Sequence, residues 1–162
     1  MRAYLALGPL SLVLFTGAIA PPKSPNIEGT YRLVSRDLPD GTKQVPPSIV
    51  GLLTFTEHDR NFNIYWKDAG GKAMSISSIS TYQITNKEYR ETNVYYLVND
   101  EIGGKGLSYD LSGSSGISPV AIKGTRIETK FPLHGEPNVV FEGNKMTATS
   151  ERAFVDHWER VH

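Results

Sequence analysis

The chain contains no cysteine among its 162 residues. That absence excludes disulfide bridges, thiol catalysis, thiolate metal sites and an anchor acylated on cysteine, so a folded domain must be held by burial and hydrogen bonding alone. Net charge is lacking as well: 17 basic residues balance 17 acidic ones, and no run of like charge exceeds two. Nucleic acid and anionic membrane surfaces therefore find no electrostatic handle. Histidine is sparse, with His58, His134, His157 and His162 scattered and never paired at i,i+2 on one strand. Because a catalytic zinc typically takes three protein ligands, no metal site is expected. There is no Asn-x-Ser/Thr sequon. Helical periodicity is never sustained over the ten or so residues a helix needs, so any helix is a single turn.

What is present begins with MRAYLALGPLSLVLFTGAIA. Arg2 supplies a positive start, Tyr4 to Ile19 is almost wholly uncharged and apolar, and Ala18-Ile19-Ala20 has the small-x-small form of a cleavage site. Residues 1–20 read as a signal peptide, which implies a secreted or periplasmic protein. A retained membrane anchor is the competing reading, but the apolar core is short and broken at Gly8-Pro9, so no stable membrane insertion is expected after signal removal. Residues 21–28 read as an unstructured Pro-rich leader. About 142 residues remain once the signal is removed, enough for one domain with a real core, placed at 29–162.

The rest of the chain breaks into short β-rich runs separated by turn chemistry such as Asp40-Gly41, Asp68 to Lys72, PLHGEP and Gly143-Asn144-Lys145. Strands are expected at 29–37, 49–56, 61–67, 73–84, 89–98, 119–123, 126–131, 138–142, 145–151 and 153–161. Hairpin-linked strands in sequence order define an all-β fold, a single up-and-down antiparallel β-barrel of about 8–10 strands. In NFNIYWK, alternation puts Phe62, Ile64 and Trp66 on the better core or cavity face, opposite Asn61, Asn63, Tyr65 and Lys67. In YRETNVYYLV the contrast between faces is weaker, and each carries a tyrosine. In AMSISSISTYQI the apolar phase shifts between Ile76 and Ile79, which a bulge near Ser77-Ser78 or a loose edge strand would explain. The Gly- and Ser-rich stretch Glu101 to Ser118 reads as a long loop with a short turn at LSYDL, either a lid or a surface excursion.

Two tempting motifs fail. GGKG lacks the spacing of a phosphate loop, and GSSG is one residue short of a Gly-x-Ser-x-Gly nucleophile elbow, so no cofactor is implied. The densest cluster of chemical groups is FVDHWERV, where Phe154, Asp156, Trp158 and Arg160 point one way while Val155, His157, Glu159 and Val161 point the other. Asp156 and His157 therefore do not form a dyad. Asp156 and Arg160 could share an interior with Trp158 between them, the carboxylate paired and ionised, or they could close the end of a barrel as a structural cluster.

Gly29-Thr30-Tyr31 at the head of the first strand and Arg160 at the end of the last resemble the lipocalin signature, in which an arginine crosses an aromatic ring where first and last strands meet. Tyr31 stands where that family has tryptophan. The stretches GTYRLVSRDLPDGT, GLLTFT, RNFNIYWKD, YDLSG and DHWERV are similar to short lipocalin-like domain proteins of microbes, across nearly the whole of Gly29 to Val161. The resemblance implies a calycin-type barrel with a cup for small apolar molecules; it carries over no catalytic residue, only Gly29, Tyr31 and Arg160 as structural closure. The leading functional expectation is an exported protein binding a small, mainly hydrophobic ligand, with Phe62, Ile64, Trp66, Tyr96 and Trp158 as lining, and Asn63 or Tyr95 as polar contacts if the faces are reversed. A barrel packed solid by the same aromatics is the alternative. A second expectation is a cofactor-independent isomerase or cyclase with Asp156, His157 or Tyr109 as acid or base, for which an ionisable group buried in an apolar cavity would speak. A third is an interaction module presenting Tyr65, Tyr89 and Tyr95 on its surface.

Overall fold

The structure, a computed structural model, describes residues 25–161. The signal-peptide segment and residues 21–24 of the leader lie outside the described residues. Thirteen strands follow in chain order: β1 (Gly29–Asp37), β2 (Lys43–Gln44), β3 (Ile49–Phe55), β4 (Asp59–Lys67), β5 (Ala73–Ile84), β6 (Glu88–Asp100), β7 (Gly106–Asp110), β8 (Ser115–Pro119), β9 (Ala121–Lys123), β10 (Arg126–Lys130), β11 (Asn138–Glu142), β12 (Lys145–Ser150) and β13 (Phe154–Val161). Among the described residues there is no helix, and so none long and apolar enough to cross a membrane.

All pairings are antiparallel, in the order β7-β6-β5-β4-β3-β1-β13-β12-β11-β10-β9, with β2 beside β1 and β8 beside β6. Only Val120 separates β8 from β9. The first of these runs pairs with β6 and the second with β10, and the Thr129 hydroxyl donates to the Pro119 carbonyl at 3.0 Å. This one stretch joins the two ends of the strand order and curls the sheet into a single up-and-down barrel. The sequence reading of Glu101 to Ser118 as a loop is corrected here. Glycines at its turns leave two short runs extended, and β6 is long enough to pair with both, β8 along Glu88–Thr92 and β7 along Tyr96–Asp100.

Interior faces follow from strand alternation interrupted by two bulges. In β1, Leu33 faces Trp158 and Ser35 faces His157, which leaves Val34 as the extra residue, pushed outward and 42% exposed. The insertion turns Arg36 inward opposite Asp156, where strict alternation from Tyr31 and Leu33 would have turned it out. In β6, Tyr95 faces Ile79 and Asn93 faces Ser80, so Val94 is the extra residue. Glu91 and Asn93 are buried before the bulge and Tyr96 joins the interior after it, which accounts for the weak contrast between the faces of this strand. β5 keeps one phase throughout: Ser78, Ser80 and Tyr82 are buried while Ile79 is exposed. The bulge expected near Ser77-Ser78 thus lies on the neighbouring strand instead.

One end of the barrel is packed solid. Phe55 lies edge-on to Tyr31, Tyr82 and Phe141, with Phe131 tilted beside it and Tyr89 stacked on Tyr82 at 5.8 Å. Ile27 is fully buried against this core and its carbonyl accepts from the Tyr31 hydroxyl, so the leader is structured at least from that residue and is not simply a spacer. Tyr89, expected on the surface, belongs to this core because its side of β6 faces inward before the bulge.

Gly51 on β3 is a close-packing glycine. A Cβ there would stand 2.6 Å from Cη2 of Trp158 and 3.2 Å from Leu33. The tryptophan thus sits in the space a side chain would fill. Gly51→Ala is expected to lower the urea-unfolding free energy by about 1–3 kcal/mol through overpacking and to perturb near-ultraviolet tryptophan signals. Full wild-type stability with unchanged spectra would refute the contact.

Candidate functional site

The barrel is hollow at the end of β1 away from Tyr31. A cavity of about 150 Å³ lies there, walled by Phe62, Ile64, Trp66, Tyr96 and Trp158 together with Arg36, Arg60, Phe154 and Asp156. All five residues expected to line a ligand site are therefore brought together. Phe62, Ile64 and Trp66 alternate along β4, Tyr96 arrives through the β6 bulge, and Trp158 stands on β13 with its ring 6.1 Å from Phe62. The β10–β11 connection completes the wall with His134, Gly135, Glu136 and Pro137. His134 (φ 52°) and Gly135 (φ 69°) are both left-handed and the Glu136 amide donates to the Leu133 carbonyl, the φ signature of a type I′ turn. The turn stacks the His134 ring flat on Tyr96 at 3.7 Å and sends Glu136 into the barrel.

Two buried ionic groups face this space. Arg36 donates from Nε and Nη2 to the two oxygens of Asp156 at 2.6 and 2.8 Å, and its guanidinium lies 4.6 Å from the ring of Trp66 and 4.1 Å from that of Phe154. The partner of Asp156 is thus Arg36 and not Arg160, because the Val34 bulge swings Arg36 inside. Burial pushes the Asp156 pKa up against the pull of Arg36.

The second group is a guanidinium between two carboxylates. Arg60, 2% exposed, donates from Nη1 to Glu91 at 2.8 Å and from Nη2 to Glu136 at 2.7 Å; the Tyr89 hydroxyl donates to the other oxygen of Glu91 at 3.0 Å. Burial raises the pKa of Glu136; Arg60 opposes that rise and the nearby Glu91 reinforces it. For Arg60 burial works against the charged form, but the two carboxylates outweigh it and hold the guanidinium ionised. Burial, with Glu136 adding to it, also raises the pKa of the Tyr96 hydroxyl.

Other sequence candidates lie elsewhere. His157 faces outward and shares Asp37 with Lys43, at 2.9 and 2.7 Å. That carboxyl is held below its ordinary value by Lys43 and then His157. Tyr109 on β7 is 59% exposed, its ring 6.5 Å from Tyr95. Neither borders the cavity, so neither can act as acid or base there. Asn63 also faces out, accepting from Ser77 at 2.6 Å. Tyr65 lines a separate recess of about 420 Å³ on the outer face of β3, β4 and β5, with Val50 and Leu52. This recess is larger than the cavity but lies outside the barrel, among residues with no ionic group beyond Arg32.

At the packed end, Arg160 donates from Nη2 to the Tyr31 hydroxyl at 2.6 Å, with its guanidinium 5.1 Å from the ring centroid. Gly29, at φ 130°, leaves room for it: a Cβ there would lie 3.0 Å from Nε of Arg160. The hydroxyl of Tyr31 accepts from Arg160 and donates to Ile27, which an indole in that position could not do.

Sequence reasoning missed Arg36, Arg60, Glu91, His134 and Glu136. Arg60 was legible in principle, since it stands two residues before Phe62 on the face already assigned inward. Arg36 and Glu91 lie near bulges that no residue type announces, and Glu136 sits in a stretch, PLHGEP, that reads only as a turn.

The fold and cavity define a single up-and-down β-barrel, packed at one end and hollow at the other. Comparisons with family models, with curated proteins and with solved structures found no match to this chain.

Proposed function

We propose that this chain is an exported, lipocalin-like carrier that holds a small, mainly hydrophobic molecule in its barrel cavity. The observation that carries the reading is the unfilled space of about 150 Å³ walled by Phe62, Ile64, Trp66, Tyr96 and Trp158. Such apolar walls with a few placed polar groups are the usual composition of small-molecule sites. Arg160 crossing Tyr31 at the packed end supports the likeness to lipocalins, and the apolar start of the chain supports export.

The cyclase or isomerase reading keeps one specific observation, that ionisable Asp156 and Glu136 border an apolar cavity. Both oxygens of each carboxylate accept from an arginine. A base held in that way at rest favours carriage over proton transfer. The deciding experiment is native mass spectrometry of the protein purified from its own source, with denaturing extraction of anything bound. A co-purifying apolar small molecule that quenches tryptophan fluorescence is expected. A bare mass together with no quenching by any extracted metabolite fraction would overturn the carrier reading. Turnover of an extracted compound that is lost in Asp156→Asn, with binding kept, would install the enzyme in its place.

A further inference from the structure

We propose that the cavity selects a neutral, one-ring molecule carrying a single hydrogen-bond acceptor such as a carbonyl oxygen, set against the free edge of Arg36. The inference rests on the carrier reading and deepens it. Size sets the first limit: the space is about 150 Å³, and an engineered apolar cavity of about that volume admits benzene. A long acyl chain or a fused-ring ligand does not fit without remodelling the walls.

Charge sets the second limit. Two guanidinium ions, Arg36 and Arg60, are set against three carboxylates, Asp156, Glu91 and Glu136. An anionic ligand would meet guanidinium ions already engaged by those carboxylates, away from bulk water. A cation fares no better, because Arg36 and Arg60 already place two positive charges on this wall and four of its neighbouring rings already carry them. Arg36 lies on Trp66 and Phe154, and Arg60 lies on Phe62 and Phe131 at 5.3 and 4.3 Å. A neutral ligand remains.

Polarity then separates neutral ligands. Asp156 engages Nε and Nη2 of Arg36, and Nη1 makes no hydrogen bond to a described residue. Arg36 is 4% exposed, Trp158 Nε1 and Arg60 Nε are buried on the same wall with no partner among the described residues, and Tyr96 and Ser150 add hydroxyls. The carboxylate oxygens are already engaged, which leaves the unspent polarity mainly donating. A carbonyl satisfies it and a hydrocarbon does not.

The chain has two tryptophans, and both Trp66 and Trp158 border the cavity. Their indole N–H resonances in ¹⁵N-labelled protein therefore report its occupancy. Titration with cyclohexanone, methylcyclohexane, cyclohexanecarboxylate and cyclohexylammonium is expected to give saturable shifts with cyclohexanone, at a Kd at least about tenfold below those of the other three. Equal or tighter binding of any of the other three overturns the proposal. The double variant Arg36→Met with Asp156→Leu removes both charges and leaves no orphan ion, and should bind methylcyclohexane at least as well as cyclohexanone. An unchanged preference for the ketone in that variant also overturns it; should the variant not fold, the wild-type ranking decides alone. If none of the four probes shifts either indole of the wild-type protein, it is the carrier reading that fails, and the ligand class falls with it.

Discussion

Arg36→Ala is expected to lower the free energy of unfolding by about 3–5 kcal/mol, seen as a fall in the urea midpoint at unchanged slope. The cost does not come from losing a favourable ion pair, since removing two charges from water nearly cancels their mutual attraction. It comes from stranding the Asp156 carboxylate, 2% exposed, among Trp66, Phe154 and Trp158. Asp156→Ala should cost a similar amount by stranding the guanidinium instead. The two changes together, or the apolar pair Arg36→Met with Asp156→Leu, should recover most of the loss, because the orphan charge disappears with its partner. Additive losses in the double variant would mean that each side chain acts independently and that the observed bidentate contact does not persist in solution.

Arg60→Met should be at least as damaging near pH 7, and its effect should depend on pH. With the guanidinium gone, Glu91 and Glu136 face each other in the interior without a cation. The sign follows from proton uptake. In the wild type the Glu136 carboxyl already titrates above its ordinary value of 4.5, so below that value it is protonated in both states and its ionisation costs nothing. As pH rises through the elevated value, the folded state must give up a proton it holds more tightly than the unfolded chain does, and stability falls. Removing Arg60 enlarges this term. The gap between Arg60→Met and wild type should therefore narrow as pH is lowered from about 7 to about 5. Carboxyls outside the core such as Asp40 and half-buried Asp110, whose pKa values are lowered chiefly by hydrogen bonds with Thr42 and Ser112, act in the opposite direction, with stability present above their ordinary values and lost as pH falls. They are common to both proteins and drop out of the difference. A gap independent of pH would show that the carboxylates are not confined without water.

The barrel was legible from sequence because turn chemistry delimits β3 to β6 and β10 to β13, with alternation clear in β4. The cavity wall was legible where alternation runs without interruption, as it does from Phe62 to Trp66. What escaped follows from three physical causes. A bulge adds one residue without a residue-type signature, and at Val34 it moves Arg36 from the outer face that strict alternation gives to the interior. Short strands flanked by glycine, such as β7 and β8, owe their extended form to pairing with β6 and not to propensity, which was too weak to identify them. Finally, a polar side chain in a turn carries no sign of which way it points, and Glu136 returns to the barrel because Arg60 is there to receive it. Ser78 is a related case: it is buried on the same face as Met74 and Ile76, and its hydroxyl has no hydrogen-bond partner among the described residues.

The pairing of β1 with β13 joins Thr30 to Val161 and Arg36 to Asp156, the latter pair 120 positions apart in sequence. During synthesis one whole edge of the first strand therefore has no partner until β13, Phe154–Val161, has left the ribosome. An open strand edge invites pairing with a neighbouring chain, and contacts so distant in sequence slow the final closure. Nascent chains truncated before Phe154 should be the species that aggregate and that chaperones retain, whereas addition of β13 converts them to a form with no free edge there.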